Sequence, residues 1–378
     1  MSKVKIIDNQ NIKNIKNERD LLSKLNHPFI VNMHFSFQNS NYLYLVIDLL
    51  TGGDLRYHLF HQKSFNEKQS RFFLACVILG LEYCHSNLII HRDIKPENVI
   101  LDSFGYAHIT DFGIAKMQQP NNANETSGTP GYMAPEVLFG KNHTTVVDYF
   151  AVGVMCYEFM KGIKPYLGRN RKEIKEKIRD KEIKIEKRNL KQGWSLEAAD
   201  FINQLLQRQP NRRLGYTGGI NELKKHPWFK TIDWKELYNR KLTSPFIPVG
   251  EENYEYKFCT QKEVKGEDTE ERYKTIMKSQ DYSNIFKDYY YFNRYDIKTQ
   301  GLKMIFFNIH DKIYKIKQMP RNNSGDIKPT TKFQKLDVKI PLKLKKRAIS
   351  PIGERSSKAF LEANSFMHKR KIIKIKYS

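Results

Sequence analysis

The stretch that most restricts what this chain can become is His91-Arg92-Asp93-Ile94-Lys95-Pro96-Glu97-Asn98, followed by Asp111-Phe112-Gly113 and then Ala134-Pro135-Glu136. One such triplet arises easily by chance; three in this order and at these gaps do not. The surrounding pattern gives them a frame. Residues 98–101 and 107–110 read as short strands flanking the turn Asp102-Ser103-Phe104-Gly105. Upstream, Asn66-Glu67-Lys68-Gln69 is a capping-box variant opening a long helix to about Cys84. Residues 14–25 place Ile15, Leu21, Leu22 and Leu25 at near-helical spacing, stopped by His27-Pro28. Runs 33–37 and 42–49, joined by Gln38-Asn39-Ser40-Asn41, predict a hairpin. Beyond Asp148 the pattern is helical, broken by Gly162, Pro165, Gly193, Pro210 and Gly218-Gly219. The order is helix, hairpin, then mostly helices around a short strand pair, with no internal repeat.

Composition narrows the class. With 40% hydrophobic and 12% aromatic residues in 378, the chain can bury a substantial core, which excludes a wholly disordered or collagen-like protein. Cys76, Cys84, Cys156 and Cys259 are widely spaced, so reduced thiols in a cytosol fit better than a disulfide scaffold or zinc ribbon. No apolar run approaches the ~18 residues of a membrane span. Met1 is followed by Ser-Lys-Val-Lys rather than a signal-peptide core. A soluble, cytoplasmic protein is expected, with the nucleus left open. Residues 294–378 hold 22 basic against 6 acidic residues, two thirds of the whole excess of +24. Such a tail suits an acidic partner, an anionic membrane or nucleic acid, or is simply a solvated, largely disordered extension. It has no RNA-recognition or zinc signature.

Together the three motifs resemble the protein-kinase signature set, over roughly residues 18–292. The resemblance implies an α+β, protein-kinase-like bilobal fold with a truncated N-terminal lobe and a mostly helical C-terminal lobe. It divides the chain into 1–51 (partial small lobe), 52–229 (helical lobe), 230–292 (C-terminal tail) and 293–378 (basic extension). The cofactors implied are ATP and Mg²⁺. In phosphoryl transfer the protein mainly positions groups and neutralises charge. By resemblance Asp93 accepts the substrate hydroxyl proton, Asn98 and Asp111 hold Mg²⁺, Lys95 contacts the γ-phosphate, and Thr129 steadies Asp93. Lys95, two residues after Asp93, follows the serine/threonine pattern. The nucleotide would lie against Glu18, Ile47, Asp48, Leu50, Asp54, Glu97, Asn98, Ile100, Thr110 and Asp111.

Further residues match by resemblance. Asp148 would brace the catalytic loop, Glu136 would pair with Arg213, and Leu22, Met33, His91 and Phe112 would stack as a spine. Asn17 to Leu22, His27 to Val31 and Gly52 to Leu59 resemble the AGC group, close to its YANK-like members. Ser244-Pro-Phe-Ile-Pro248 resembles the start of the AGC tail, and Phe286-Lys-Asp-Tyr-Tyr-Tyr291 its hydrophobic motif, with Tyr290 at the usual phosphosite. Asp54, Glu97 and Glu176 fall where that group binds arginine upstream of the target hydroxyl, so protein substrates with Ser/Thr in basic contexts are expected. Ser350, after Arg347, is a candidate autophosphorylation site. Glu125 stands where the activating Thr usually lies and would supply a constant negative charge to Arg92; Thr126 and Ser127 are the competing phosphosites. A monomer is expected. No Gly-rich loop precedes Asp111, and the lysine that pairs with Glu18 would fall just before Met1. Two readings stay open: a chain starting at an internal Met of a longer kinase, or an inactive kinase-like scaffold.

Overall fold

The computed structural model describes residues 1–39, 41–249, 253 and 285–292. The basic extension, Ser350 and Cys259 lie outside the described residues. Near the N-terminus two helices form, α1 (Lys3–Asp8) and α2 (Ile12–Leu22), the second burying Ile15, Leu21 and Leu22. Helix α2 stops three residues short of the expected Leu25. The Lys24 and Leu25 amides turn back onto the Leu21 and Leu22 carbonyls at 2.9 and 3.3 Å, so Leu25 is buried from a turn. The periodicity therefore runs on past the helix itself.

Strands β1 (Met33–Gln38) and β2 (Leu43–Ile47) form the expected antiparallel hairpin, with Phe35 opposite Val46 and Phe37 opposite Tyr44. The second strand is shorter than predicted. The Asp48 amide donates to Asn32, and Leu49 is 88% exposed.

Asp54 caps α3 (Leu55–Gln62) by accepting from the Tyr57 amide. Helix α4 (Glu67–Ser86) opens with the predicted capping box: Asn66 Oδ1 accepts from the Gln69 amide at 2.9 Å, and Gln69 Oε1 from the Asn66 amide at 3.0 Å. From Phe72 to Leu81 every α4 residue is buried, and the helix forms the centre of the helical lobe. Strands β3 (Ile89–Ile90), β4 (Val99–Leu101), β5 (Ala107–Ile109) and β6 (Lys116–Met117) pair as β3–β6 and β4–β5. Asn98 and Thr110, expected as strand ends, lie just outside them. Asn98 closes a 3₁₀ turn, and its carbonyl accepts from the Thr110 amide at 2.9 Å.

Helices α5 (Pro135–Leu138), α6 (Val146–Lys161), α7 (Arg171–Asp180), α8 (Leu196–Leu205), α9 (Ile220–Lys225) and α10 (Trp234–Tyr238) complete the lobe. Helix α6 is buried nearly all round and packs between α4 and α8. It ends at Gly162, whose φ of 75° and whose approach to the Lys63 carbonyl leave no room for a Cβ. Residues 285–292 return to the small lobe. There β7 (Tyr291–Phe292) pairs with β1, Phe292 opposite Phe35. Phe286 and Tyr289 join Ile6, Ile15 and Leu43 in a second apolar cluster. Among the described residues no helix is long and apolar enough to cross a membrane. Cys76, Cys84 and Cys156 are buried free thiols, and burial pushes Cys76 up to about 12.

Candidate active site

The site starts from a strained turn. After β3 the chain enters Arg92 at φ 68°, the left-handed region that a Cβ disfavours by about 1–2 kcal/mol. Asp148, 1% exposed on α6, holds that turn. Its Oδ1 accepts from the Arg92 amide at 2.8 Å, and its Oδ2 from the His91 amide at 3.0 Å and His85 Nε2 at 2.8 Å. Burial opposes ionisation of Asp148, but His85, His91 and the His91 amide outweigh it and lower its pKa. A charged brace inside the helical lobe thus aims the next residue, Asp93.

Four donors saturate the Asp93 carboxylate. Oδ1 accepts from Thr129 Oγ1 at 2.7 Å and the Thr129 amide at 3.1 Å. Oδ2 accepts from Lys95 Nζ at 2.6 Å and Asn98 Nδ2 at 3.0 Å. Lys95 also donates to Thr129 Oγ1 at 2.9 Å. Burial works against the charge, yet the bonds from Lys95 and Thr129 hold Asp93 below the usual carboxylate range. The structure therefore brings Asp93, Lys95, Thr129 and Asn98 together as one network.

Asn98 also donates to the Asp93 carbonyl at 2.9 Å, which commits its amide nitrogen and leaves its side-chain oxygen as an acceptor. One residue past the Thr110–Asn98 hydrogen bond stands Asp111, exposed and itself left-handed at φ 61°. Among the described residues no group of three or more His, Cys, Asp or Glu is placed to hold a metal. One amide and one carboxylate oxygen do suit Mg²⁺, which keeps few protein ligands and completes its shell with phosphate and water oxygens.

The other predicted nucleotide residues line the route from hairpin to catalytic loop. Ile47 is exposed, Leu50 and Ile100 are partly buried, and the Asp54–Ile100 bridge ties the start of α3 to β4. The Asp48 side chain is committed elsewhere: it accepts from the Asn32 amide at 2.9 Å, Asn32 Nδ2 at 2.8 Å and His34 Nε2 at 2.8 Å. The Thr110 carbonyl accepts from His91 Nε2 at 3.0 Å. Glu18, partly buried on α2, pairs with no cation among the described residues. Burial, and then the Asp111 charge, raise its pKa to about 7. Asn17 ties α2 to the segment after Gly113 by donating to the Ala115 carbonyl at 2.7 Å. The four spine residues are all buried, with the His91 and Phe112 rings 5.0 Å apart and edge-on.

Residues 1–229 match the protein kinase domain family. This chain belongs to that family. It is 44% identical over 246 residues to a probable serine/threonine-protein kinase of Dictyostelium discoideum, covering 64% of this chain and 52% of that one. It is 42% identical over 251 residues to serine/threonine-protein kinase AtPK2/AtPK19 of Arabidopsis thaliana, covering 66% and 52%. It is 39% identical over 251 residues to serine/threonine-protein kinase Sgk1 of Danio rerio, covering 66% and 57%. The chain thus spans about half the length of the curated relatives it matches. These relatives agree with an AGC-type kinase domain.

Within this kinase domain the acids expected to bind a substrate arginine are differently engaged. Asp54 caps α3, Glu176 on α7 has no ion pair among the described residues, and Glu97 accepts from Arg56 Nε at 2.8 Å. Sequence reasoning missed Arg56, Glu158 and Tyr132, which converge beside Glu97. Arg56 lies 102 residues from Glu158, so no local pattern in the sequence joins them. The predicted Glu136–Arg213 pair is present, buried and bidentate at 2.7 and 3.0 Å.

Proposed function

We propose that this kinase domain transfers the γ-phosphoryl group of ATP to serine or threonine hydroxyls of proteins. The observation that carries the reading is the saturated Asp93 network. A carboxylate held ionised at neutral pH and oriented by Thr129 and Asn98 can align a hydroxyl and take its proton once Lys95 turns from Oδ2 to the phosphoryl group, which frees an acceptor site. That proton leaves as the new O–P bond forms and the bond to the ADP oxygen breaks. Lys95, between Asp93 and Thr129, is placed to meet the transferred group's negative charge. Mg²⁺ held by Asn98 and Asp111 would neutralise phosphate charge. Serine/threonine selectivity is supported by Lys95 two residues after Asp93 and by what the relatives are called.

The test is phosphate transfer from labelled ATP to a mixture of serine, threonine and tyrosine peptides. The wild-type chain is expected to label the first two, and Asp93→Asn to lose about 100-fold or more with its melting temperature kept. A folded wild-type chain that labels none, or whose activity survives Asp93→Asn, refutes the proposal. Tight peptide binding without transfer would favour the inactive scaffold.

A further inference from the structure

Beside the catalytic carboxylate lies an acidic site already filled from within. Glu97 opens from the catalytic loop, one residue before Asn98, which donates to Asp93. Glu158, from α6, has a side chain 4% exposed. The Tyr132 amide donates to the Thr129 carbonyl at 2.9 Å, so a tight turn joins Tyr132 to the residue that holds Asp93. Into this corner α3 sends Arg56. Its Nε donates to Glu97 at 2.8 Å, its Nη1 to Glu158 Oε1 at 2.9 Å, and its Nη2 to Glu158 Oε2 at 3.1 Å and to the Tyr132 hydroxyl. The Tyr132 hydroxyl in turn donates to Glu158. Every guanidinium nitrogen is used, and both Glu158 oxygens are taken. Lys164 adds a second cation, 4.7 Å from the Tyr132 ring centre.

We infer that Arg56 is a specificity-determining residue, an internal arginine that occupies the acidic site beside Asp93 and removes selection for a basic substrate side chain there. This rests on the proposed protein-kinase function and names the substrate class of that same site: hydroxyl-bearing segments without a required arginine upstream. The geometry explains why an incoming guanidinium does not simply displace the resident one. A bidentate Arg–carboxylate pair is among the strongest side-chain contacts, and this one is tethered on a Glu158 side chain that is itself buried. A substrate arginine would gain only Glu97, whose side chain is 41% exposed and is already paired. With Arg56 gone, two carboxylates and a tyrosine hydroxyl would be open to one guanidinium.

Binding tests this apart from catalysis. Fluorescent peptides with alanine at the target serine would carry arginine, or its neutral isostere citrulline, two or three residues upstream, and be titrated with the full chain by anisotropy. Wild type is expected to bind both within about 3-fold, and Arg56→Ala to prefer the arginine peptide by about 10-fold or more. Arg56→Gln, closer in size and neutral, replaces Arg56→Ala if thermal unfolding shows that variant misfolded. A wild-type arginine preference of about 10-fold or more overturns the inference, as does a folded variant with no gain. Phosphate transfer to the matching serine peptides is scored separately. Its complete absence counts against the proposed function, while the binding ratio still decides on Arg56.

Discussion

The guanidinium of Arg92 meets the carboxylate of Glu125 at 2.5 Å, and Lys116 holds the other oxygen of that carboxylate. Arg92 Nε donates to the Ile114 carbonyl at 2.8 Å, so one arginine ties the catalytic turn to the segments on both sides of it. In protein kinases a phosphate commonly supplies the negative charge that orders such a segment. Here a carboxylate stands in its place. Burial resists its ionisation, but Lys116 and Arg92 prevail and keep Glu125 below the ordinary glutamate range. The charge is thus present at neutral pH and is lost only as pH falls through that depressed value. Glu125→Gln is expected to lower kcat about 10-fold, and Thr126→Ala to leave it within about 2-fold, in steady-state kinetics. The opposite pattern would mean that phosphorylation at Thr126 orders the segment.

Glu18 gives a pH dependence of the opposite sense. Its folded-state pKa is raised from 4.5 to about 7 by burial and by Asp111. The folded chain therefore holds a proton that the unfolded chain has released, and stability falls as pH rises from about 4.5 to 7. The loss amounts to about 3 kcal/mol once the group is ionised. Glu18→Gln should raise the melting temperature at pH 8 and change it little at pH 4. Equal effects at both pH values would show that Glu18 titrates normally. A cation brought close to Glu18 would lower its pKa and flatten the wild-type profile in the same scans.

Arg213 and Glu136 tie α5 to the chain after α8. Their side chains are 0% and 3% exposed, and Arg213 also donates to the Val146 carbonyl at 2.9 Å and the Gln207 carbonyl at 3.1 Å. Removing one partner strands a buried charge. Arg213→Ala should cost about 3–5 kcal/mol in urea unfolding and expose the segment around Glu136 to proteolysis. A loss below about 1 kcal/mol would mean that water reaches the pair.

What the sequence disclosed, and what it hid, follow from distance along the chain. Asp93, Lys95 and Asn98 fall within six residues, and their types alone mark the chemistry. The Asn66–Gln69 capping box is equally local. The Arg56–Glu97–Glu158 cluster is not: its members come from three separate elements, and each taken singly is a charged residue with a dozen bland explanations. The acids chosen from sequence, Asp54, Glu97 and Glu176, include one member of that cluster and miss the arginine that decides its role. The end of α2 was hidden for a different reason. Leu25 is buried by the turn beyond the helix, and burial periodicity cannot distinguish a last helical residue from a buried neighbour.

The returning segment 285–292 supports a final prediction. Phe286 and Tyr289, each 1% exposed, fill the cluster with Ile6, Ile15 and Leu43. Ser36 Oγ donates to the Tyr289 carbonyl at 3.0 Å and Gln38 Nε2 to the Phe286 carbonyl at 2.5 Å, while Arg19 lies 5.7 Å from the Tyr289 ring centre. Tyr290, at the place where related tails carry a phosphorylated hydroxyl, is 52% exposed. Docking therefore rests on apolar burial and backbone bonds. Phe286→Ala should destabilise the chain by about 3 kcal/mol and raise hydrogen exchange in α2, whose Glu18 and Asn17 face the active site. Tyr290→Phe should change neither. If instead Tyr290→Phe loosens α2 as much as Phe286→Ala does, the hydroxyl of Tyr290, and not the buried rings, governs how the small lobe is held.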